Sequence, residues 1–354
     1  MFESDWWLPA SGLIVGFVLG AVARWNHFCT LSSLERLWYA DDDQGFRTWI
    51  LAIAVAITTT QLLLLSGIIS LETSFYLQPR LSLLGAIGGG MIFGLGMALV
   101  GTCGFGALLR LGGGSLRSLI IVVAIGLAAL VAQRGVIGRL RNNYIEPLAL
   151  DLSSSGSPSI ADIISTFMNA SVNHLIPWVI VAGLFYWLLK APSFRKNHRA
   201  LITGSVVGLC ISAGWVITEY FYNTSFSVVQ VESASFVLPP GELIFSLMAV
   251  TGSIPDYGIG LVLGVVIGAA AVALARNDIR LEACDDAREL NRHLAGAFLM
   301  GTGGILAGGC TVGQGISAAS TLSISAPIVF ASMLLGARIG LKLLIEGPAQ
   351  AQDA

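Results

Sequence analysis

Charge is what this sequence has least of. Only 11% of its 354 residues are Asp, Glu, Lys or Arg, against roughly 25% in soluble globular domains. That scarcity excludes an ordinary soluble domain. The net charge of -2 gives no basis for a nucleic-acid partner. The five cysteines are an odd number, with no C-x-x-C pair among them. A disulfide framework, a dithiol redox motif and a local-pair zinc site are therefore not expected, nor is any cofactor or metal. No small-residue cleavage site follows the first apolar stretch, so that stretch is read as retained. What is present in excess is apolar sequence, at 55% hydrophobic residues and a mean hydropathy of +0.79. The apolar runs are long and continuous rather than alternating, which excludes a β-barrel and predicts an all-α integral membrane protein in a lipid bilayer.

A span needs about 20 apolar residues. Nine stretches come close: 9–28, 48–70, 82–101, 116–133, 174–190, 200–219, 257–276, 292–309 and 325–345. The run 241–252 is too brief to cross and reads as re-entrant or interfacial. Lys and Arg concentrate in alternate connections, around Arg36 and Arg47, Arg110 and Arg117, Arg195 to Arg199, and Arg276 to Arg292. The other connections hold only Arg80, Arg134, Arg139 and Arg141. Positive residues stay inside, so the N-terminus is expected outside and the C-terminus in the cytoplasm. The outer segment after residue 134 contains ADIISTFMNA, a candidate interfacial helix.

The chain also repeats itself. Shifting by 207 residues places Gly89, Gly94, Gly96, Gly101, Cys103 and Gly106 on Gly296, Gly301, Gly303, Gly308, Cys310 and Gly313. GLIVGFVLG (12–20) likewise resembles TGSVVGLC (203–210). Because the equivalent spans run in opposite directions, the expected fold is an inverted 4+1+4 repeat, an architecture used by transporters. The first repeat covers 1–133, an outer loop and connecting helix 134–199, the second repeat 200–346, and a cytoplasmic tail 347–354.

Two elements break the apolar pattern, GTCGFG at 101–106 and GGCTVG at 308–313. Glycines this dense interrupt a helix, and interrupted backbone at membrane depth must be buried or line a cavity. A new helix can start after each break, in FGALLRL and GQGISAAS. Its free N–H groups would form an anion site. The blander reading is tight packing around ordinary buried cysteines. Glycines spaced by four, such as Gly12, Gly16 and Gly20, read simply as helix-packing faces. A neutral thiol in such a path is a weak S–H donor and a soft contact, suited to a sulfur-bearing anion. Gly101, Thr102, Gly104, Gly309, Thr311 and Gln314 flank the cysteines, as oxygen-binding donors or as local helix caps. A third cysteine, Cys29, lies in WNHFCT at the inner end of the first span. Arg24, His27 and Arg110 stand where they can attract an anion or anchor helix ends. Cys210 and Cys284 read as incidental.

Taken together, the element at 24–29, GTCGFG and GGCTVGQG resemble the YeeE/YedE family of sulfur-transport membrane proteins over most of the chain. That resemblance implies bacterial inner-membrane uptake of thiosulfate or a similar small anion. It further implies a relay through Cys29, Cys103 and Cys310 by S–H···S hydrogen bonds, and a cytoplasmic sulfur-acceptor protein as partner. Selenium compounds are an alternative cargo within the family. A membrane thiol or persulfide redox enzyme is the alternative class, although it lacks the expected cysteine pair.

Overall fold

The computed structural model describes residues 6–151, 158–168, 175–225, 229–249, 256–283 and 286–350. Its helices in chain order are α1 (Trp7–Trp25), α2 (Thr30–Tyr39), α3 (Gln44–Leu65), α4 (Gly90–Val100), α5 (Gly104–Gly112), α6 (Leu116–Arg134), α7 (Val136–Leu140) and α8 (Ile160–Met168). They continue with α9 (Ile176–Leu189), α10 (Pro192–Arg195), α11 (His198–Thr224), α12 (Leu238–Met248), α13 (Tyr257–Ala275), α14 (Ala287–Leu306) and α15 (Ser325–Gln350). Wider π-helical turns cover Gly85–Gly89 and Gly313–Ala318. The described strands are two short ones, Arg80–Leu81 and Leu150–Asp151, paired antiparallel outside the bundle.

Seven segments among the described residues are long and apolar enough to cross a membrane. The chain is thus a multi-pass α-helical membrane protein. Two of the nine expected stretches fall short of that measure. The stretch 174–190 forms only the 14-residue α9, about 21 Å at 1.5 Å per residue against a hydrocarbon core of about 30 Å. Pro192 closes it, since the residue before a proline is steered out of helical geometry. The stretch 292–309 belongs to α14, whose first turns carry Arg288, Glu289, Arg292 and His293.

Small residues set the packing. The α1 face of Gly12, Gly16 and Gly20 lies against α13, which answers with Gly260, Gly264 and Gly268. A Cβ at Gly16 would sit 2.2 Å from the Leu261 carbonyl oxygen, and one at Gly264 at 2.2 Å from that of Leu13. Backbones therefore touch directly, which only glycine allows. In parallel, α3 packs on α11, α4 on α14, α6 on α14, and α15 on α4. The stretch 241–252, expected to be re-entrant or interfacial, contributes to α12, which packs on α6. ADIISTFMNA is helical through Met168; its last two residues lie outside the described residues.

Both expected breaks are present. Gly101 ends α4 in the left-handed region with φ 75°, and α5 starts three residues later. In the second element Gly308 and Gly309 adopt φ 73° and 157°. Helix resumes at residue 311.

Candidate functional site

Each break delivers a cysteine to the start of a helix. Cys103 is the N-cap of α5, and its sulfur accepts the Gly106 N–H at 3.3 Å. Cys310 does the same for the following element, accepting the Gly313 N–H at 3.2 Å. The free N–H groups expected after each break are to this extent claimed by the thiols. Cysteine replaces the serine or aspartate that usually caps a helix. Its lone pairs accept backbone donors, while its S–H stays available to another acceptor. Cys310 also accepts the Phe236 N–H, at 3.4 Å. Both sulfurs lie in the core, at 0% and 1% residue exposure. The four described cysteines are free thiols. Cys210 is buried in α11, and Cys284 lies outside the described residues.

Cys29 sits at the bend between α1 and α2. Its sulfur is 3.7 Å from the Thr102 hydroxyl, and it converges with the Cys103 sulfur on Gly106. Gly106 makes that meeting sterically feasible. A Cβ there would be 2.3 Å from Thr102 Oγ1, 3.0 Å from Cys29 Sγ and 3.6 Å from Cys103 Sγ. The neighbouring Thr30 donates to Thr311 Oγ1 at 3.1 Å, tying the start of α2 to the second break.

Above the second break opens a cavity of about 590 Å³. Gly308, Gly309, Gln314, Tyr76 and Ser235 are among its lining residues, with Arg80 and Arg141 also exposed to it. The Tyr76 and Ser235 hydroxyls both approach the second break, lying 2.9 and 3.3 Å from the Cβ position of Gly313. Burial pushes the Tyr76 phenol well above its usual range, and Cys310 and Glu232 add to this, so the hydroxyl remains a neutral donor. On the opposite side a smaller cavity of about 90 Å³ is lined by His27, Phe28, Arg36 and Asn197.

Between these openings the protein is closed by aromatic rings. Phe236 packs on Phe105 at 4.8 Å, Phe105 on Phe28 at 6.4 Å, and Phe28 stacks on Trp49 at 4.9 Å. All four residues are at most 3% exposed. Each of the three cysteines has one of these phenylalanines beside it: Phe28 precedes Cys29, Phe105 follows Cys103 by two residues, and Phe236 donates its N–H to Cys310.

The other expected site residues divide. Thr102 and Thr311 stand in the site as described. Gln314 spends its amide N–H groups on the Ala307 and Gly308 carbonyls, at 3.2 and 3.0 Å, so it caps the second break. Gly104 borders the site, its Cβ position 3.2 Å from the Phe236 carbonyl oxygen. Arg110 reaches back to the Gly101 carbonyl at 3.2 Å. Arg24 is an anchor, paired to Asp278 at 3.0 Å, and His27 adopts a positive φ of 51° in the small cavity. Among the described residues, no three His, Cys, Asp or Glu side chains gather in a metal-binding group.

Paired glycine–cysteine breaks between two cavities, within a multi-pass helical bundle, define a membrane transport protein. Comparison with known proteins makes the class specific: residues 26–339 match the Sulphur transport family, and the chain belongs to it. It is similar to the thiosulfate transporter TsuA of Escherichia coli strain K12, 27% identical over 347 residues and 92% of both chains. It is also similar to the thiosulfate transporter TsuA of Spirochaeta thermophila, 23% identical over 332 residues, 92% of this chain and 96% of the relative. The family consists of transporters, not enzymes.

Proposed function

We propose that this protein carries thiosulfate, or a closely related soft sulfur anion, into the cell through the path marked by Cys310, Cys103 and Cys29. The observation that carries this reading is the double use of cysteine as helix N-cap. In each break the backbone N–H groups hold the sulfur in place and leave the thiol hydrogen for a passing acceptor. Terminal sulfur on the anion is polarizable and accepts weak hydrogen bonds. Weak contacts suit transport, because a site must release what it binds. The oxygen end would meet the hydroxyls of Tyr76 and Ser235 above Cys310, and the Thr102 and Thr311 hydroxyls near the neck.

The finer architecture belongs to the same proposal. The packing of α1 on α13 has its counterpart in α11 on α3, and α14 on α6 in α4 on α15. That exchange supports the inverted 4+1+4 repeat, with α9 as connector and nine spans in all. The basic connections support an inner-membrane protein with its N-terminus outside and its C-terminus in the cytoplasm. A sulfur-acceptor protein would collect the cargo near Cys29.

Replacing Cys310 with alanine is expected to abolish uptake of radiolabelled thiosulfate into proteoliposomes, with unchanged membrane insertion. Unchanged uptake in that variant would sink the relay.

A further inference from the structure

The outer cavity is lined by carboxyl groups as well as by arginines. Glu232, Glu242 and Asp256 all open onto it. Two of them are already engaged. Glu242 on α12 lies 3.7 Å from Arg134 at the end of α6. Asp256 caps α13 and accepts the Tyr257 N–H at 2.6 Å. Glu232 differs, having no ion-pair partner among the described residues. Its carboxyl lies against the start of α13, with Oε1 3.3 Å from the Cβ position of Gly258. The groups facing it are Asp256, Glu242 and the Tyr76 and Tyr257 phenols; Arg80, Arg141 and Glu146 share the cavity. Burial pushes the Glu232 carboxyl well above the usual range, and Asp256 and Glu242 push it further.

An unpaired carboxylate is a poor wall for an anion path. Glu232 is also well placed to act on that path. It belongs to the irregular segment 229–237, four residues before Phe236, whose N–H holds Cys310 and whose ring packs on Phe105. That segment is fastened at Glu232 itself, whose carbonyl accepts the Thr218 hydroxyl at 2.8 Å, and at Ala234, whose carbonyl accepts Ser317 at 2.9 Å. The carboxyl and the aromatic closure are thus parts of one short, anchored element.

We propose that Glu232 is a proton-operated gate of the outer cavity: its neutral carboxyl admits the sulfur anion to Cys310, and its ionised form repels it. The proposal rests on the transport reading. When the outer side is acidic, Glu232 takes a proton from outer water and the path is open. As external pH rises through the raised range of this carboxyl, the proton returns to water and the path closes. Once ionised, a single required acid loses its protonated fraction about tenfold per pH unit.

The test is initial thiosulfate uptake into proteoliposomes, with external pH stepped from acidic to alkaline and internal pH held constant. Thiosulfate remains a dianion throughout, so only the protein titrates. Wild-type uptake should fall on the alkaline side by about tenfold per unit. Glu232→Gln should keep its acidic-side uptake across the whole range, and Glu232→Asp should keep an alkaline fall. Glu242→Gln and Asp256→Asn should also keep that fall, displaced to lower pH because a like charge that raises the Glu232 carboxyl is gone. An alkaline fall in Glu232→Gln equal to that of wild type would overturn the gate while leaving transport standing. So would loss of uptake at every pH in a Glu232→Gln protein that elutes and melts like wild type. Absence of thiosulfate uptake by wild type at any pH would overturn the transport reading, and this inference with it.

Discussion

At the scale of single residues, Gly106 is the most exacting position. Two sulfurs and a threonine hydroxyl converge on its missing side chain. Gly106→Ala is expected to push Cys29 and Thr102 away from Cys103, at a cost of about 1–3 kcal/mol of overpacking. Uptake should fall at least about tenfold, the equivalent of 1.4 kcal/mol in the path, with normal expression. Gly183→Ala on α9, where nothing lies within 4 Å of the new methyl, is the matched control and should change nothing. Cys103 and Cys310 could be read from the sequence because helix breakers surround them in apolar runs. The approach of Cys29 to Cys103 could not, since nothing local encodes a meeting of residues 74 positions apart. Tyr76, Ser235 and Phe236 left no signal either. They lie in irregular segments between helices, where no periodicity separates a buried side chain from an exposed one.

At the scale of elements, the glycine stripes were legible as packing faces, but their partner was not. The structure supplies it by setting α1 on α13. Gly16→Ala is expected to lower the detergent melting temperature more than Gly12→Ser lowers it only if the middle of the stripe bears the tightest contact. Their Cβ positions approach carbonyl oxygens at 2.2 and 2.3 Å respectively, so both variants should destabilise, by about 1–3 kcal/mol each. A melting temperature within error of wild type for Gly16→Ala would contradict the backbone contact. The sequence also suggested that the helix starts after the breaks were open to an anion. Sulfur takes up part of that capacity, a side-chain choice that composition and spacing do not announce.

At the scale of the whole molecule, the all-α membrane class followed from scarce charge and long apolar runs. Span counting was less secure where a helix is cut short by a proline, as α9 is by Pro192, or begins in charged residues, as α14 does. The orientation has a direct test. A cysteine introduced at Leu148, which is 63% exposed, should react with a membrane-impermeant thiol reagent on intact cells, above the wild-type background. One introduced at Ser193, exposed in the connection between α9 and α11, should react only after permeabilisation. The reverse pattern would invert the assigned topology.

The backbone-to-backbone seam between α1 and α13 has a kinetic consequence. Helices that touch through their carbonyls have no side-chain layer to shear, so this seam cannot slide without losing contact along its length. The first and second halves of the chain are thereby riveted together. On the proposed path, passage of a small anion then falls to the rings of Phe28, Phe105 and Phe236. Side-chain rotations are intrinsically faster than the microsecond-to-millisecond motions of whole domains. Turnover by such a machine should be limited by how often three rings make way, giving throughput closer to that of a pore than of a rocking carrier.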